Sequence, residues 1–341
     1  MTRSPHGPVP REAAVTASAP APVAPAVSVA PGPHLHAAAS TQRMMADVLV
    51  GLAPLVAVAV AQFRQHALFQ MAIASCSAVV SEWLFARMRG RPATLWDLSA
   101  LVTGLILALS LPAGAPWYAG AVGAAVAIGL GKAIFGGLGQ NLFNPAMVGR
   151  AFAMISFPAA LGASAYVSPS LGIEAVTSAT PLTAFKMSGQ VTPIGPLFLG
   201  ATNGSIGETS ALAALLGGLY LCFRRTAPWE IPAGAILAMG AAALPGLAGG
   251  GTTWTLAHDL SAGAFMYGAF FIATDPVTSP LTPRGKWIFG AGFGLLVAMI
   301  RRFSGYPEGV MFAILVMNAL VPLINRGTIP VPVGGPAPQT R

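Results

Sequence analysis

From Met44 onward the chain alternates long apolar runs with short polar breaks. The runs fall at 44–62, 66–86, 98–112, 117–134, 146–163, 208–223, 231–248, 260–274, 287–300 and 309–325. A helix that crosses a bilayer needs about 20 apolar residues, fewer where it is short or broken. Inside lipid every backbone amide must find a partner within the protein, so runs of this length read as helices. The pattern predicts an all-α polytopic membrane protein of ten spans, with both termini on one side. Residues 1–40 differ: they are rich in Ala and Pro (Pro20, Pro22, Pro25, Pro31 and Pro33 among them) and show no apolar period, which predicts a disordered tail. Prolines also interrupt every stretch that could serve as the apolar region of a cleaved signal. The expected organisation is tail 1–40, first five helices 41–163, an outer loop 164–207, second five helices 208–326 and a C-terminal tail 327–341.

Composition narrows the class. Hydrophobic residues make up 55% of the chain, and 18 Lys+Arg with 10 Asp+Glu leave it about a third as charged as an ordinary soluble protein. A soluble enzyme is excluded. Two cysteines, Cys76 and Cys222, both inside apolar runs, exclude a disulfide framework and a four-thiolate iron–sulfur site within the chain. The net charge of +8 is not gathered in a patch, so no nucleic-acid partner is expected. Its distribution sets the orientation instead. With the N-terminus inside, Arg3, Arg11, Arg43, Arg87, Arg89, Arg91, Lys132, Arg224, Arg225, Arg284, Lys286, Arg326 and Arg341 lie inside, and only Arg64, Lys186, Arg301 and Arg302 outside. Both termini are therefore expected in the cytoplasm and the 164–207 loop outside.

An internal repeat is legible. Asp97-Leu98-Ser99-Ala100 opens the third run and Asp259-Leu260-Ser261-Ala262 the eighth, 162 residues later. The same offset carries run one onto run six and run five onto run ten. Five helices per half is an odd number, which forces the halves to be inverted. Runs three and eight are short and correspond in position, a pointer to a site near the bilayer midplane.

Few ionisable groups lie in or beside the spans: Glu82, Asp97, Lys132, Arg150, Asp259 and Asp275. Lys132 and Glu82 sit near predicted helix ends, where long side chains snorkel to the interface, and read as structural. Asp275, in Ala273-Thr274-Asp275-Pro276, joins a carboxylate to the free carbonyls of a Pro-terminated helix, an arrangement suited to a cation or a polar ligand. Gly131-Lys132 lacks the first glycine and the hydroxyl residue of a phosphate loop, and the five histidines show no metal-ligand spacing in the spans. In the outer loop, Glu174-Ala175-Val176-Thr177-Ser178-Ala179-Thr180-Pro181-Leu182-Thr183 places an accessible threonine before a proline. Pro181 biases Thr180 to extended backbone, which would hold its hydroxyl away from its own chain.

Several strings are distinctive together: Ser99-Ala100-Leu101-Val102-Thr103-Gly104, Gly136-Gly137-Leu138-Gly139-Gln140-Asn141-Leu142-Phe143-Asn144-Pro145-Ala146-Met147, Ser178-Ala179-Thr180-Pro181-Leu182, Phe271-Ile272-Ala273-Thr274-Asp275-Pro276 and Gly305-Tyr306-Pro307-Glu308-Gly309-Val310. On these the chain, from about residue 33 to 326, resembles the RnfD component of the Rnf electron-transport complex and its relative, the NqrB component of the sodium-translocating NADH:quinone reductase. The resemblance implies covalent FMN, held by a phosphoester to a threonine that matches Thr180, with Thr177 and Thr183 as alternatives in other registers. The stricter attachment motif has Asp and Gly where this chain has Glu174 and Ser178. It also implies a second, non-covalent flavin (riboflavin), a flavin transferase acting on the periplasmic face, and partner subunits that bind clusters and a second FMN. A bacterial inner-membrane location and Na+ or H+ translocation are implied with them. Asn144, Pro145 and Asp275, beside broken helices, are candidates for a flavin or ion environment. The inverted ten-helix arrangement resembles that of urea channels, so a passive solute channel is the reading from another class.

Overall fold

The computed structural model describes residues 40–92, 94–162, 179–248, 254–306 and 308–330. The proline-rich tail before Ser40, the C-terminal segment after residue 330, and Glu174, Thr177 and Ser178 of the outer loop lie outside the described residues.

Among the described residues the chain is all-helical, and the only extended pairing is an isolated bridge between Pro112 and Ser205. α1 covers Thr41–Met88, capped by the Ser40 side chain, as two helical stretches that meet at a kink at Arg64, whose backbone is non-helical (φ 50°, ψ −126°). The bend falls in the polar break between the first two predicted runs. A three-residue turn, Leu95–Asp97, leads into α2 (Ser99–Ser110). α3 (Trp117–Ile128) continues as a π-helical turn, Gly129–Ala133, and α4 follows at Pro145–Ser156. Two short helices, α5 (Pro181–Ser188) and α6 (Ile194–Leu199), stand in the segment expected to be loop. α7 (Ala211–Phe223) and α8 (Glu230–Ala248) come next. The eighth predicted run is not one helix: it divides into α9 (Leu256–Ser261), α10 (Phe265–Tyr267) and a π-helical turn at Gly268–Ile272. α11 (Pro283–Phe303) and α12 (Val310–Thr328) complete the chain.

Two of these helices, Thr41–Met88 and Val310–Thr328, are long and apolar enough on their own to cross a bilayer. α2, with 12 residues, spans only about 18 Å at 1.5 Å per residue, well short of a hydrocarbon core of about 30 Å. It ends without waste of its polar groups. The carbonyl of Leu109 accepts from the Gly207 amide at 2.7 Å and that of Leu111 from Ile206 at 2.9 Å, so the chain at 205–208 meets carbonyls that lipid could not.

Phe265, Tyr267, Phe289, Phe293, Leu107 and Met147 are fully buried, while Phe69, Val80, Trp83, Ile155, Leu237 and Leu295 face outward. An apolar exterior of this extent over a core that also holds Lys132, Asn144 and Asn318 is the pattern of a membrane protein. Close helix contacts use glycine where backbones touch. A Cβ on Gly290 or Gly294 of α11 would lie 2.3 Å from the carbonyl oxygen of Ile231 or Ala235 on α8, so these helices pack backbone to backbone and run parallel.

Candidate functional site

The Thr180-Pro181 pair opens α5. Thr180 is extended (φ −65°, ψ 155°), as the following proline predicts, but its hydroxyl is not held away from its own chain. Oγ1 accepts from the Thr183 amide at 3.3 Å and lies 2.9 Å from the Thr183 hydroxyl: it is the helix N-cap. A capping threonine with proline at the first helical position is a standard start signal, and the sequence contained it.

Thr180 lines a cavity of about 370 Å³. α4 brings Arg150 and Met154 to it, the 202–208 segment brings Asn203 and Glu208, the approach to α12 brings Glu308, and α12 itself brings Phe312. Arg150 Nη1 donates to Glu208 Oε1 at 3.1 Å, and its Nη2 stands 4.0 Å from Glu308 Oε2. Glu208 also accepts from the Ser205 amide at 3.4 Å, and Glu308 from the Ala264 amide at the gap between α9 and α10. A cation and two carboxylates so removed from water are tolerable because the arginine pairs with one and approaches the other, and backbone amides donate to both carboxylates. The sequence marks Arg150 as a charge within a span but gives no sign of its partners, which lie 58 and 158 residues away along the chain. The cavity combines a nucleophilic hydroxyl at its edge, an arginine and apolar walls. With Arg150 engaged by Glu208 and Glu308, its apolar walls suit an aromatic body.

Asn144 and Asp275 are brought together, and Pro145 is beside them as the first residue of α4. The Asn144 side chain accepts from the Met147 amide at 3.3 Å, and its Nδ2 lies 3.4 Å from both the Ile272 carbonyl and Asp275 Oδ2. Asn318, absent from the sequence candidates, completes the knot. Its Oδ1 accepts from the Asn144 amide at 3.0 Å and its Nδ2 donates to the Thr278 carbonyl at 2.9 Å. Asp275 accepts from the Val277 amide and the Thr278 hydroxyl, both at 3.1 Å. All these contacts are to neutral groups. Asn144 and Arg150 lie on one helix, six residues or about 9 Å apart along its axis.

Lys132 and Glu82 depart from expectation. Both are buried rather than snorkelling, and they pair at 2.6 Å, with Lys132 donating also to Ser99 Oγ at 2.6 Å. The Ser99 hydroxyl in turn donates to Asp97 at 2.5 Å. Lys132 lies in the π-helical turn Gly129–Ala133, a local widening of the helix often found at functional positions. The two Asp-Leu-Ser-Ala copies also differ locally. Asp97 caps α2 through the Ser99 amide at 2.8 Å, whereas Asp259 lies inside α9 and accepts from Trp254 Nε1 at 3.0 Å.

A sequence profile of the "NQR2, RnfD, RnfE family" matches residues 28–334. Three similar proteins are each the component designated D of an ion-translocating complex. The chain is 41% identical over 321 residues to that of the proton-translocating ferredoxin:NAD(+) oxidoreductase complex of Clostridium ljungdahlii, covering 90% of this chain and 96% of the relative. It is 42% identical over 306 residues to that of the Na(+)-translocating ferredoxin:NAD(+) oxidoreductase complex of Acetobacterium woodii, covering 89% and 93%. It is 38% identical over 339 residues to that of the ion-translocating oxidoreductase complex of Actinobacillus succinogenes, covering 87% and 95%. With a profile match across nearly its whole length and relatives of this identity, the chain belongs to the NQR2, RnfD, RnfE family.

Proposed function

We propose that this chain is a membrane subunit of an Rnf-type ion-translocating ferredoxin:NAD+ oxidoreductase complex, in a bacterial inner membrane, and that it relays electrons through FMN joined to Thr180 by a phosphoester. The assignment to the complex is supported by the family and by relatives named as its D component over about nine-tenths of the chain. Those relatives are named for proton and for sodium translocation, so the coupled ion is H+ or Na+.

The observation that carries the flavin reading is the cavity at Thr180. Bound there, a flavin supplies one- and two-electron transfer that no side chain of this protein offers. The protein's own contribution is position and charge. Thr180 presents its oxygen at the N-terminus of α5, where amide dipoles favour an anion, and Arg150, paired with Glu208, faces the same cavity. Met154, Leu161, Met311 and Phe312 supply apolar wall for a ring system.

The finer architecture belongs to the same proposal: ten helices in two inverted five-helix repeats, urea-channel-like, with both termini cytoplasmic and the Thr180 segment periplasmic, where a flavin transferase reaches it. In support, Gln70, Ser77 and Phe85 of α1 meet Gly120, Ala121 and Gly129 of the α3 column in parallel order, as Ile231 and Ala235 of α8 meet Gly290 and Gly294 of α11. A non-covalent riboflavin as second cofactor belongs to the same proposal, as does a flavin or ion environment at Asn144, Pro145 and Asp275. Its support is a carboxylate within the helical core whose partners, among the described residues, are all neutral. Cluster-binding and second flavin-bearing subunits would deliver and accept the electrons.

Co-expression with the transferase, followed by a denaturing gel under ultraviolet light, tests the proposal. A fluorescent band that Thr180→Val removes is expected. Persistence of the band in that variant moves the attachment to another residue, and its absence from the wild type favours a passive channel.

A further inference from the structure

The end of α1 carries three exposed arginines, Arg87, Arg89 and Arg91, one turn beyond the exposed Trp83. Gly90, at φ +63°, turns the chain so that Trp83, Arg87 and Arg91 line one shallow pocket. Arg89 and Arg91 then reach across to the neighbouring element. Arg89 donates to the Ala133 carbonyl and Arg91 to the Gly136 carbonyl, the latter at 3.3 Å. These acceptors are neutral, so they fix the guanidinium groups without cancelling their charge. Two acidic groups stand near. Glu82 is spent on Lys132 at 2.6 Å, and Asp97 accepts from Ser99 at 2.5 Å. Four cations (Arg87, Arg89, Arg91 and Lys132) against these two carboxylates leave a surplus of two positive charges.

Beneath Arg89 an apolar trough of about 500 Å³ runs between α1 and α3, walled by Phe85, Ala125, Val126, Leu130 and Ile134. Gly129 forms its floor. A Cβ there would lie 2.8 Å from the Phe85 ring, so glycine lets the ring fold flat against α3. Leu130 and Ile134 are 47% and 66% exposed, which opens the trough sideways to hydrocarbon. From Val126 to Ile134 it runs about 12 Å at helical rise, most of the ~15 Å depth of one leaflet's hydrocarbon.

We propose that this trough and its arginine rim bind one anionic phospholipid, with an acyl chain along α3 and the phosphate between Arg89 and Arg91. A cytoplasmic excess of arginine alone would be explained by topology. The further features are that Arg89 is braced at the end of an apolar channel, that Arg91 is braced beside it and lines with it the adjoining pocket at Ala133 and Gly136, and that the exposed Trp83 stands one turn before Arg87. On the charge-derived orientation the lipid belongs to the inner leaflet.

The test is native mass spectrometry of the full-length chain, delipidated and then offered dioleoylphosphatidylglycerol or dioleoylphosphatidylcholine. The wild type should retain the glycerol lipid roughly thirtyfold more strongly, the attraction expected of two surface arginines. Arg89→Gln with Arg91→Gln should reduce that preference to about threefold or less. Val126→Trp, which fills the trough and leaves every charge in place, should lower retention of both lipids while thermal unfolding shows it folded. Equal retention of the two lipids by the wild type, or an unchanged preference in the double variant, overturns the proposal. So does displacement of the lipid by millimolar inorganic phosphate alone, which would leave the trough no part in binding. A photocrosslinker on Leu130→Cys in the assembled complex should label lipid; labelling of another protein of the complex would make this face a protein interface and the proposal wrong.

Discussion

Removing Lys132 tests whether the buried Lys132–Glu82 pair is needed as a pair. The two side chains are 4% and 10% exposed and 2.6 Å apart, and Ser99 takes a second bond from the lysine. Replacing Lys132 by Met leaves Glu82 without its cation in the helix core, so the carboxylate must stay uncompensated or give up its charge. One broken partner of a buried pair costs about 3–5 kcal/mol. At roughly 2 °C per kcal/mol for a chain of this size, unfolding in detergent should move down by about 6–10 °C. Glu82→Gln should cost a comparable amount. The double variant should return to within about 2 °C of the wild type, because removing both charges also removes their joint desolvation cost. Intrinsic-fluorescence melts of the four proteins give the cycle directly. Two results would refute the reasoning: a Lys132→Met protein within about 2 °C of wild type, meaning the lysine finds water as snorkelling requires, or additive losses in the double variant.

Two further outcomes follow from single contacts. Tyr267 is fully buried and donates from Oη to the Ile106 carbonyl at 3.0 Å, so Tyr267→Phe should cost about 1 kcal/mol, read as a fall of roughly 2 °C in the melt. Arg150→Met should destabilise by about 3–5 kcal/mol by stranding Glu208, and adding Glu208→Gln should recover most of it; no recovery would mean that the arginine's packing, not its charge, is what the fold needs.

The ten apolar runs are legible because lipid forces backbone pairing to be local, so hydrophobic length alone marks a helix. Boundaries differ in most runs: 146–163 is helical only over Pro145–Ser156, and 287–300 lengthens to Pro283–Phe303. The first two runs are two helical stretches that meet at a kink at Arg64, since the polar break there is too short to form a loop. The eighth run reads as a single helix because its composition is uniform, and the break at Ala262–Ala264 is held from outside, by Glu308 on the Ala264 amide and by Arg301 on the Asp259 and Ala262 carbonyls. Gly263, at φ +67° inside the break, is the one local trace of it; the partners that hold it lie 39 to 44 residues away. Helix α5 is written locally, in Thr180-Pro181, but the polar stretch around it masks the signal. At the candidate site, Thr180, Asn144 and Asp275 stand out by residue type and neighbours. Their companions Asn318, Glu208 and Glu308 do not, since an asparagine on an apolar helix and a glutamate in a loop carry no sign of the partner that folding brings to them.

That non-local set has a mechanical consequence, because α4 is held at two points by the second half of the chain. At its start Asn318 accepts from the Asn144 amide and donates to Thr278, and six residues on Arg150 pairs with Glu208 and approaches Glu308. A 12-residue helix is too short to bend between points about 9 Å apart, so the knot at Asn144 and the cavity at Thr180 should move as one body. Asn318→Leu probes this. It strands the Asn144 amide and the Thr278 carbonyl, both in buried residues, at about 1–3 kcal/mol each. If α4 is a strut, hydrogen exchange should quicken across Pro145–Ser156 and also in the 202–208 segment that holds Arg150, which the substituted side chain does not touch. Faster exchange confined to residues near 272–278 and to α12 would mean that the two ends of α4 are independent, and that an event at the cavity has no rigid route to Asp275.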